Sequence, residues 1–166
     1  MNSSKQGRLA RKSLMEVERN KFSDLICEKV KQFIKEDDVV MLYNAFDGEV
    51  DVSSIKAKKI ILPTIREEKI VPVEKTTKTL LGKYNINEPV GNEYLGKIDV
   101  FVVPMCAFDR KMMRSGFGKG YYDRLLADKK GLKIGVAFSC QEQEEILKKP
   151  TDVCMDIIVT EKEIFK

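Results

Sequence analysis

The sequence predicts an α/β protein with three layers, in which a mainly parallel central sheet lies between helices. Three observations support this fold class. Short β-branched runs alternate with segments of helical character along the chain. Several of these runs are apolar at successive positions, as in strands buried on both faces. The chain has 166 residues, of which 34% are charged and 43% hydrophobic, so we expect one domain over residues 1–166.

An amphipathic helical region opens the chain. Between Ala10 and Lys35, apolar residues recur at spacings of three and four, which predicts one or two helices with a buried face. A basic arm leads into this region: residues 1–35 carry a net charge of +5, whereas residues 36–166 carry −1. Such a local charge is compatible with a solvated helix end and with a site for phosphates.

Strands and helices are predicted to alternate after this region. The predicted strands are Val39–Tyr43, Ile60–Leu62, Ile70–Val73, Ile98–Val103, Ile134–Phe138 and Ile157–Val159. The predicted helices are Val52–Lys58, Thr77–Leu81, Tyr121–Asp128 and Glu142–Lys149. Capping-box patterns at Ser139 with Glu142 and at Thr160 with Glu163 predict helix starts after two strands. Parallel sheets bind ligands beyond the carboxyl ends of their strands, so the loops there are the candidate sites.

The composition excludes several classes of chemistry. The chain has no histidine, which excludes Ser-His and Cys-His nucleophiles and every metal site with a histidine ligand. Its four cysteines lie far apart in sequence, so we expect buried, reduced thiols and no zinc ribbon. No apolar run approaches the ~20 residues of a membrane span, and no secretory signal follows the basic N-terminus. A cytoplasmic location is expected.

A glycine loop at residues 114–124 carries the clearest chemical signal. It reads Arg-Ser-Gly-Phe-Gly-Lys-Gly-Tyr-Tyr-Asp-Arg, after a predicted strand and before a predicted helix. Glycines at alternate positions let backbone N–H groups approach an anion, and the helix that follows adds its positive dipole end. Lys119 and Arg114 add full positive charges, and arginine can hold a phosphate through two hydrogen bonds. The loop therefore predicts a phosphate site.

Three familiar motifs fit this loop poorly. A dinucleotide fingerprint would need glycine at Tyr121, and a Walker A loop would need Ser or Thr at Gly120. An RNA-binding strand motif would need an aromatic ring at Lys119. A flexible, solvated glycine turn remains an alternative to a phosphate site.

The loop, together with Val103-Pro-Met-Cys-Ala-Phe-Asp109 before it, resembles the signature of the 5-formyltetrahydrofolate cyclo-ligase family, also called 5,10-methenyltetrahydrofolate synthetases. The similarity runs nearly end to end and includes Gly48-Glu49-Val50 and Asn87-Glu88-Pro89. The resemblance implies MgATP-dependent closure of 5-formyltetrahydrofolate to the 5,10-methenyl form, with release of ADP and phosphate. In this family the formyl oxygen takes the γ-phosphoryl group, and the neighbouring anilino nitrogen then attacks. Positioning and cations dominate such phosphoryl transfer, so a chain without histidine can perform it.

The resemblance also implies roles for individual residues. Lys119 and Arg114 would be catalytic, with Lys119 stabilising the transferring phosphoryl group. The ATP site would comprise Lys5, Arg8, Arg11, Arg114, Gly116, Gly118, Lys119, Gly120, Tyr121 and Tyr122. Asp123 and Asp152 would ligate Mg²⁺, which prefers carboxylate oxygens. Glu49 would accept hydrogen bonds from the pterin ring, and Phe117 and Tyr121 would pack on the folate.

One departure from the family pattern concerns the N-terminal helix. The family presents a lysine four residues before an arginine, and aligning that arginine with Arg11 places Gly7 at the lysine position. Lys5 or Arg8 could supply the missing charge. The expected partner is a small molecule, the reduced folate with or without a polyglutamate tail, and the chain is expected to be a monomer that binds neither nucleic acid nor membrane. The alternatives are a folate- or nucleotide-binding relative without turnover and, as a weaker rival, an RNA-binding module.

Overall fold

The computed structural model describes residues 1–166 and contains three α-helices and eleven strands. The helices are α1 (Ser3–Ser13), α2 (Glu16–Lys31) and α3 (Tyr121–Leu126), and a 3-10 helix covers Ser139–Gln141. The first strands are β1 (Val39–Met41), β2 (Lys59–Arg66), β3 (Lys69–Glu74), β4 (Thr79–Leu81), β5 (Asn87–Pro89) and β6 (Val100–Pro104). The others are β7 (Ala107–Phe108), β8 (Arg114–Ser115), β9 (Leu132–Val136), β10 (Ile157–Val159) and β11 (Ile164–Phe165).

Seven of the strands form one central sheet in the order β11-β10-β9-β6-β1-β2-β3. The five inner strands pair in parallel, whereas the edge strands β3 and β11 are antiparallel to their neighbours. The prediction of a mainly parallel sheet is therefore confirmed. Each predicted strand overlaps one strand of this sheet, because an apolar run buried on both faces is a strong local signal.

Residues that alternate along the inner strands face two separate cores. One core packs against α2 and includes Ile26, Val30, Val40, Val100, Val102 and Ile134. The other packs against α3 and includes Met41, Phe101, Val103, Leu126 and Ile158. Helices thus cover both faces of the sheet, which confirms the three-layer α/β/α arrangement.

The sheet has a topological switch point between β1 and β6. From β1 the chain adds β2 and β3 on one side, and from β6 it adds β9, β10 and β11 on the other. At such a point the loops beyond the two carboxyl ends diverge and leave a crevice for a ligand. The loops here are residues 42–58 after β1 and residues 105–120 after β6, and the second contains the glycine loop.

Three of the predicted helices are wrong. Residues 52–58 form turns, and Thr79–Leu81 is strand β4, which pairs with β5. Residues 142–149 are not helical because their backbone N–H groups bond to the chain after β6. The Gln143 N–H donates to the Phe108 carbonyl, and that of Ile146 donates to the Asp109 carboxylate. The fourth predicted helix, Tyr121–Asp128, is confirmed as α3.

The two capping-box patterns have different outcomes. Ser139 begins only the short 3-10 helix, and Thr160 with Glu163 closes the turn between β10 and β11. None of the three helices has the length and apolar character to cross a bilayer. The cysteines are all unpaired, as predicted, but only Cys27 and Cys106 are buried, whereas Cys154 is half-buried and Cys140 is exposed.

Candidate active site

The two loops at the switch point meet through aromatic and charged side chains. The ring of Phe46, after β1, stacks on that of Phe117 in the glycine loop, with centroids 5.2 Å apart and planes at 25°. Arg11 bonds to both loops, since it donates to the Asp47 carboxylate at 3.0 Å and to the Met105 carbonyl at 3.1 Å. Segments far apart in sequence therefore form one site.

Asp47 forms ion pairs with three cationic side chains of α1. Its Oδ2 accepts from Arg8 Nε at 2.8 Å and from Arg11 Nη2, and its Oδ1 pairs with Lys12. Although burial acts to raise it, the hydrogen bonds from Arg8 and Lys12 hold the pKa of the Asp47 carboxyl well below its usual range. The cluster fixes α1 against the loop after β1 and holds the Arg8 guanidinium 4.8 Å above the Phe117 ring.

Arg11 is a buried side chain that holds the two loops of the site together. Its side chain is 0% exposed, and each of its three nitrogens donates to the protein, Nε to the Asp47 carbonyl at 2.9 Å. The direct contact of Arg11 with a nucleotide stays a prediction, and in this structure its guanidinium bonds to the protein only. Lys5 is exposed and Arg8 is partly exposed, so these are the two cations of the predicted set that α1 presents.

Gly7 lies where α1 touches the backbone after β6. A Cβ at this position would lie 1.9 Å from the Cys106 carbonyl oxygen and 3.1 Å from the Ala107 Cβ. The lysine of the family pattern cannot be accommodated in this arrangement. The same helix is tied to the glycine loop by Ser4, whose hydroxyl donates to the Gly116 carbonyl at 2.7 Å and bonds to the Ser115 hydroxyl.

Arg114 lies behind the glycine loop with a buried donor unused. Its side chain is buried, and its Nη2 donates to Asp123 Oδ1 at 2.9 Å. Its Nε is buried and has no hydrogen-bond partner within the protein. A buried donor without a partner costs free energy, so the atom is a candidate to bind an anion.

The glycine loop itself is open to an incoming group. Gly118 and Gly120 have φ values of 86° and 67°, which residues with a Cβ rarely adopt, and a Cβ at Gly118 would meet no atom within 4 Å. Lys119 is exposed between them. The loop thus combines accessible backbone with a free cation, as a phosphate requires.

Tyr121 and Tyr122 occupy different environments. The Tyr121 hydroxyl donates to Glu68 Oε2 at 2.9 Å and lies 3.0 Å from the Tyr84 hydroxyl. Tyr122 packs on the core with its ring 5.8 Å from the Arg114 guanidinium, and burial raises the pKa of its phenol. Tyr122 is partly exposed and lies beside Arg114, so its direct contact with a nucleotide stays a prediction.

The structure brings the two predicted metal ligands to one region. Asp123 Oδ1 accepts from the Val153 N–H at 3.0 Å, which places the residue after Asp152 directly against Asp123. Each carboxylate keeps one oxygen without a hydrogen bond. Asp123 accepts only at Oδ1, and Asp152 accepts only at Oδ2, from the Lys149 N–H. The site contains no group of three or more acidic or thiol side chains that could hold a metal. Mg²⁺ commonly takes one or two carboxylates and completes its shell with water and phosphate oxygens, so two carboxylates with one free oxygen each suffice in number.

Glu49 is the buried acid of the site. It is 8% exposed, and its Oε2 accepts from the Phe46 N–H at 3.2 Å. Burial raises the pKa of its carboxyl to about 7, although Arg11 and the Phe46 N–H act to lower it. The group can therefore accept hydrogen bonds as a carboxylate or donate one as an acid near neutral pH.

A cleft of about 380 Å³ opens beside Phe46, under the hairpin of β4 and β5. Its wall includes Asn44, Leu62, Asn85, Ile86 and Asn87. The sequence reasoning missed this wall, because residues 77–81 were predicted as a helix. The one available signal was the Asn87-Glu88-Pro89 segment, which is part of the family resemblance.

Comparisons with known proteins agree with this geometry. The model of the 5-formyltetrahydrofolate cyclo-ligase family matches residues 5–161. The NMR structure of Aquifex aeolicus 5,10-methenyltetrahydrofolate synthetase is similar with a TM-score of 0.85 and 35% identity, over 99% of this chain and 90% of that one.

Two cyclo-ligases are similar in sequence. The 5-formyltetrahydrofolate cyclo-ligase of Haemophilus influenzae is 29% identical over 144 residues, which cover 72% of this chain and 74% of that protein. The Mycoplasma genitalium 5-formyltetrahydrofolate cyclo-ligase is 47% identical over 64 residues, 37% of this chain. This second match spans 38% of that relative's length.

Proposed function

Because this chain belongs to the 5-formyltetrahydrofolate cyclo-ligase family, whose model matches residues 5–161, we propose that it is an ATP-dependent enzyme. It closes 5-formyltetrahydrofolate to 5,10-methenyltetrahydrofolate and releases ADP and phosphate. The observation that carries the proposal is the meeting of two loops at the switch point of the sheet, where Phe46 stacks on Phe117. One loop offers donors for phosphate, and the other offers a buried acceptor for a heterocycle.

The phosphate side of the site is built from the glycine loop and α1. We assign the triphosphate to the backbone of Gly116, Gly118 and Gly120, to the exposed Lys119 and to the unpartnered Nε of Arg114. Lys5 and Arg8 approach from α1, which Ser4 bonds to the loop. Fixed cations around a transferring phosphoryl group stabilise the charge that develops on its oxygens.

The metal side of the site is the Asp123 and Asp152 pair. Their free carboxylate oxygens would hold Mg²⁺ next to Arg114 and the glycine loop. When bound, MgATP would supply the phosphoryl group that turns the formyl oxygen into a leaving group. Asp123 also keeps Arg114 in place, so one side chain orders both the cation and the metal position.

The folate side of the site is Glu49 with the cleft beside Phe46. The pterin ring presents adjacent amide and amino donors, which suit a carboxylate acceptor. Phe117 would pack on the folate from the glycine loop, and Tyr121 would approach from the start of α3. This arrangement would bring the formyl oxygen to Lys119 and leave the anilino nitrogen free to attack the formyl carbon. Once the new C–N bond has formed, the bond between the formyl carbon and the phosphorylated oxygen breaks and phosphate leaves. The anilino nitrogen then loses its proton.

The cellular setting is part of the same proposal. We place the protein in the cytoplasm, which its four unpaired cysteines support. We also propose that it works as a monomer.

The test is turnover of 5-formyltetrahydrofolate, followed by the growth of the methenyl absorbance. Product should form only when ATP and a divalent metal are both present. Binding of 5-formyltetrahydrofolate or ATP without turnover would show that the protein binds these ligands but is not an enzyme. Binding of RNA, with no response to either small molecule, would favour the RNA-binding alternative. Titration calorimetry with each ligand separates these results.

A further inference from the structure

Arg124 links the glycine loop to the turn between β2 and β3, a segment outside the proposed reaction. Its Nη1 donates to the Lys119 carbonyl at 2.8 Å, and its Nη2 donates to the Glu68 carbonyl at 3.0 Å. Both acceptors are backbone oxygens from separate loops. The planar fork of a guanidinium can hold two such acceptors at once, which an ammonium group cannot do with the same geometry.

The β2–β3 turn is held firmly in place, so it can fix the position of the Arg124 side chain. The two strands pair over six residues, from Ile61 opposite Glu74 to Arg66 opposite Lys69. The turn is tight, with φ values of 47° at Glu67 and 60° at Glu68. The Glu68 carboxylate also accepts the Tyr121 hydroxyl at the start of α3. The Glu68 carbonyl is therefore fixed relative to the sheet.

The glycine loop needs such an anchor. Lys119 is exposed and lies between two glycines with left-handed backbone angles, so its own side chain does not hold the segment in place. Ordering a flexible loop on binding costs conformational entropy, which weakens affinity. The guanidinium of Arg124 lies against the loop closely enough that a Cβ at Gly120 would be 3.1 Å from its Nη1.

Arg124 also keeps its full charge available. Its hydrogen bonds go to carbonyl groups, and it forms no ion pair with a carboxylate. Its guanidinium lies 5.5 Å from the centre of the Tyr121 ring, a cation–π contact that fixes its direction. The charge therefore adds to the positive potential around the loop.

We propose that Arg124 is a positioning residue, which holds the Lys119 backbone against the β2–β3 turn and so orders the glycine loop before the triphosphate binds. This inference rests on the proposed nucleotide site. Arg124 itself need not touch the nucleotide, because one of its polar contacts holds the Lys119 carbonyl and the other holds the Glu68 carbonyl of the turn.

Arg110 provides a matched control. It is an exposed arginine that bonds to Glu142 at 2.6 Å and lies 5.1 Å from the Phe165 ring, away from the loop. Arg124→Ala should raise the Kd and the KM for MgATP about five- to tenfold, as expected for the loss of one typical hydrogen bond that orders the loop. The KM for 5-formyltetrahydrofolate should change little. Arg110→Ala should leave all three constants unchanged, and Arg124→Lys should recover part of the loss.

A second measurement needs no ligand. Backbone NMR order parameters at residues 116–120 of the unliganded protein should be lower in Arg124→Ala than in the wild type and unchanged in Arg110→Ala. Weaker MgATP binding with unchanged order parameters would indicate direct contact and overturn the positioning role, as would two variants that behave alike. A wild-type protein that neither binds nor uses MgATP would refute the proposed function. The order parameters would then still test whether Arg124 orders the loop.

Discussion

The guanidinium of Arg114 and the carboxylate of Asp123 are bonded to each other across the glycine loop, with Nη2 2.9 Å from Oδ1. The pair closes the loop at its base, since the two residues stand at its two ends. Both side chains are mostly buried, with 5% and 17% of their surfaces exposed. Removing one partner of such a pair leaves the other charge uncompensated.

The first prediction separates the two assigned metal ligands. Asp123→Asn should weaken MgATP binding and also lower the free energy of unfolding by roughly 1–3 kcal/mol, because it weakens the partner of Arg114. Asp152→Asn should weaken MgATP binding with little change in stability, since Asp152 is partly exposed and its carboxylate accepts one local N–H. Thermal midpoints with and without MgATP measure both effects. A full ligand-induced shift in either variant would remove that residue from the metal site.

The second prediction concerns Lys119. Lys119→Ala should abolish most turnover while changing the free energy of unfolding by no more than ~0.5 kcal/mol, since the side chain is exposed. Lys148→Ala, another exposed lysine, should change neither quantity. Initial rates and urea unfolding provide the comparison. Comparable losses of rate and stability at Lys119 would indicate a structural role.

The third prediction is a pH dependence set by Glu49. Its carboxyl ionises near the ordinary value of 4.5 in the unfolded chain and near 7 in the folded protein. The folded state therefore holds the proton in this interval while the unfolded state does not, so stability falls as the pH rises from 4.5 to 7. Glu49→Gln should match the wild type near pH 4.5 and be more stable by roughly 3 kcal/mol at pH 8.

Exposed Glu36 supplies the charge-matched control for this measurement. The stability difference between Glu36→Gln and the wild type should be the same at both pH values. If the Glu49→Gln difference is also constant, the buried carboxyl does not titrate in this interval. Folate affinity should behave in the opposite sense to stability, because the carboxylate form accepts the pterin donors. The affinity should therefore fall as the pH drops through 7.

The fourth prediction uses Gly7. Alanine normally stabilises the interior of a helix by ~0.5–1 kcal/mol relative to glycine. At this position the added Cβ would overlap the Cys106 carbonyl oxygen at 1.9 Å, so Gly7→Ala should instead destabilise the protein by ~1–3 kcal/mol. Its exposed neighbour tests the helix itself, and Gln6→Ala should be neutral or slightly stabilising. A stabilised Gly7→Ala variant would show that α1 does not pack directly on this backbone.

Much of the fold was predictable because its signals are local. Each inner strand contains a short apolar run, and such runs indicate burial on both faces without knowledge of their neighbours. The short strands β4, β5, β7, β8 and β11 were missed, because two or three residues carry no periodicity. The failed helix at residues 142–149 shows the same limit. Its backbone donors bond to Phe108 and Asp109, which lie far away in sequence.

The sequence by itself determined the chemistry available to this protein: a glycine loop with a free lysine, carboxylates for a metal, and no histidine. The tertiary structure decided which of those groups are exposed at the site and which are buried behind it. Arg11 and Tyr122 carry the right side chains for a nucleotide, but packing buries Arg11 completely and leaves Tyr122 partly buried against the core beside α3. Asp123 meets the residue after Asp152 across a sequence separation of 30, and Arg124 reaches Glu68 across 56. Such contacts depend on how the sheet orders its strands, and no local pattern of residues specifies that order.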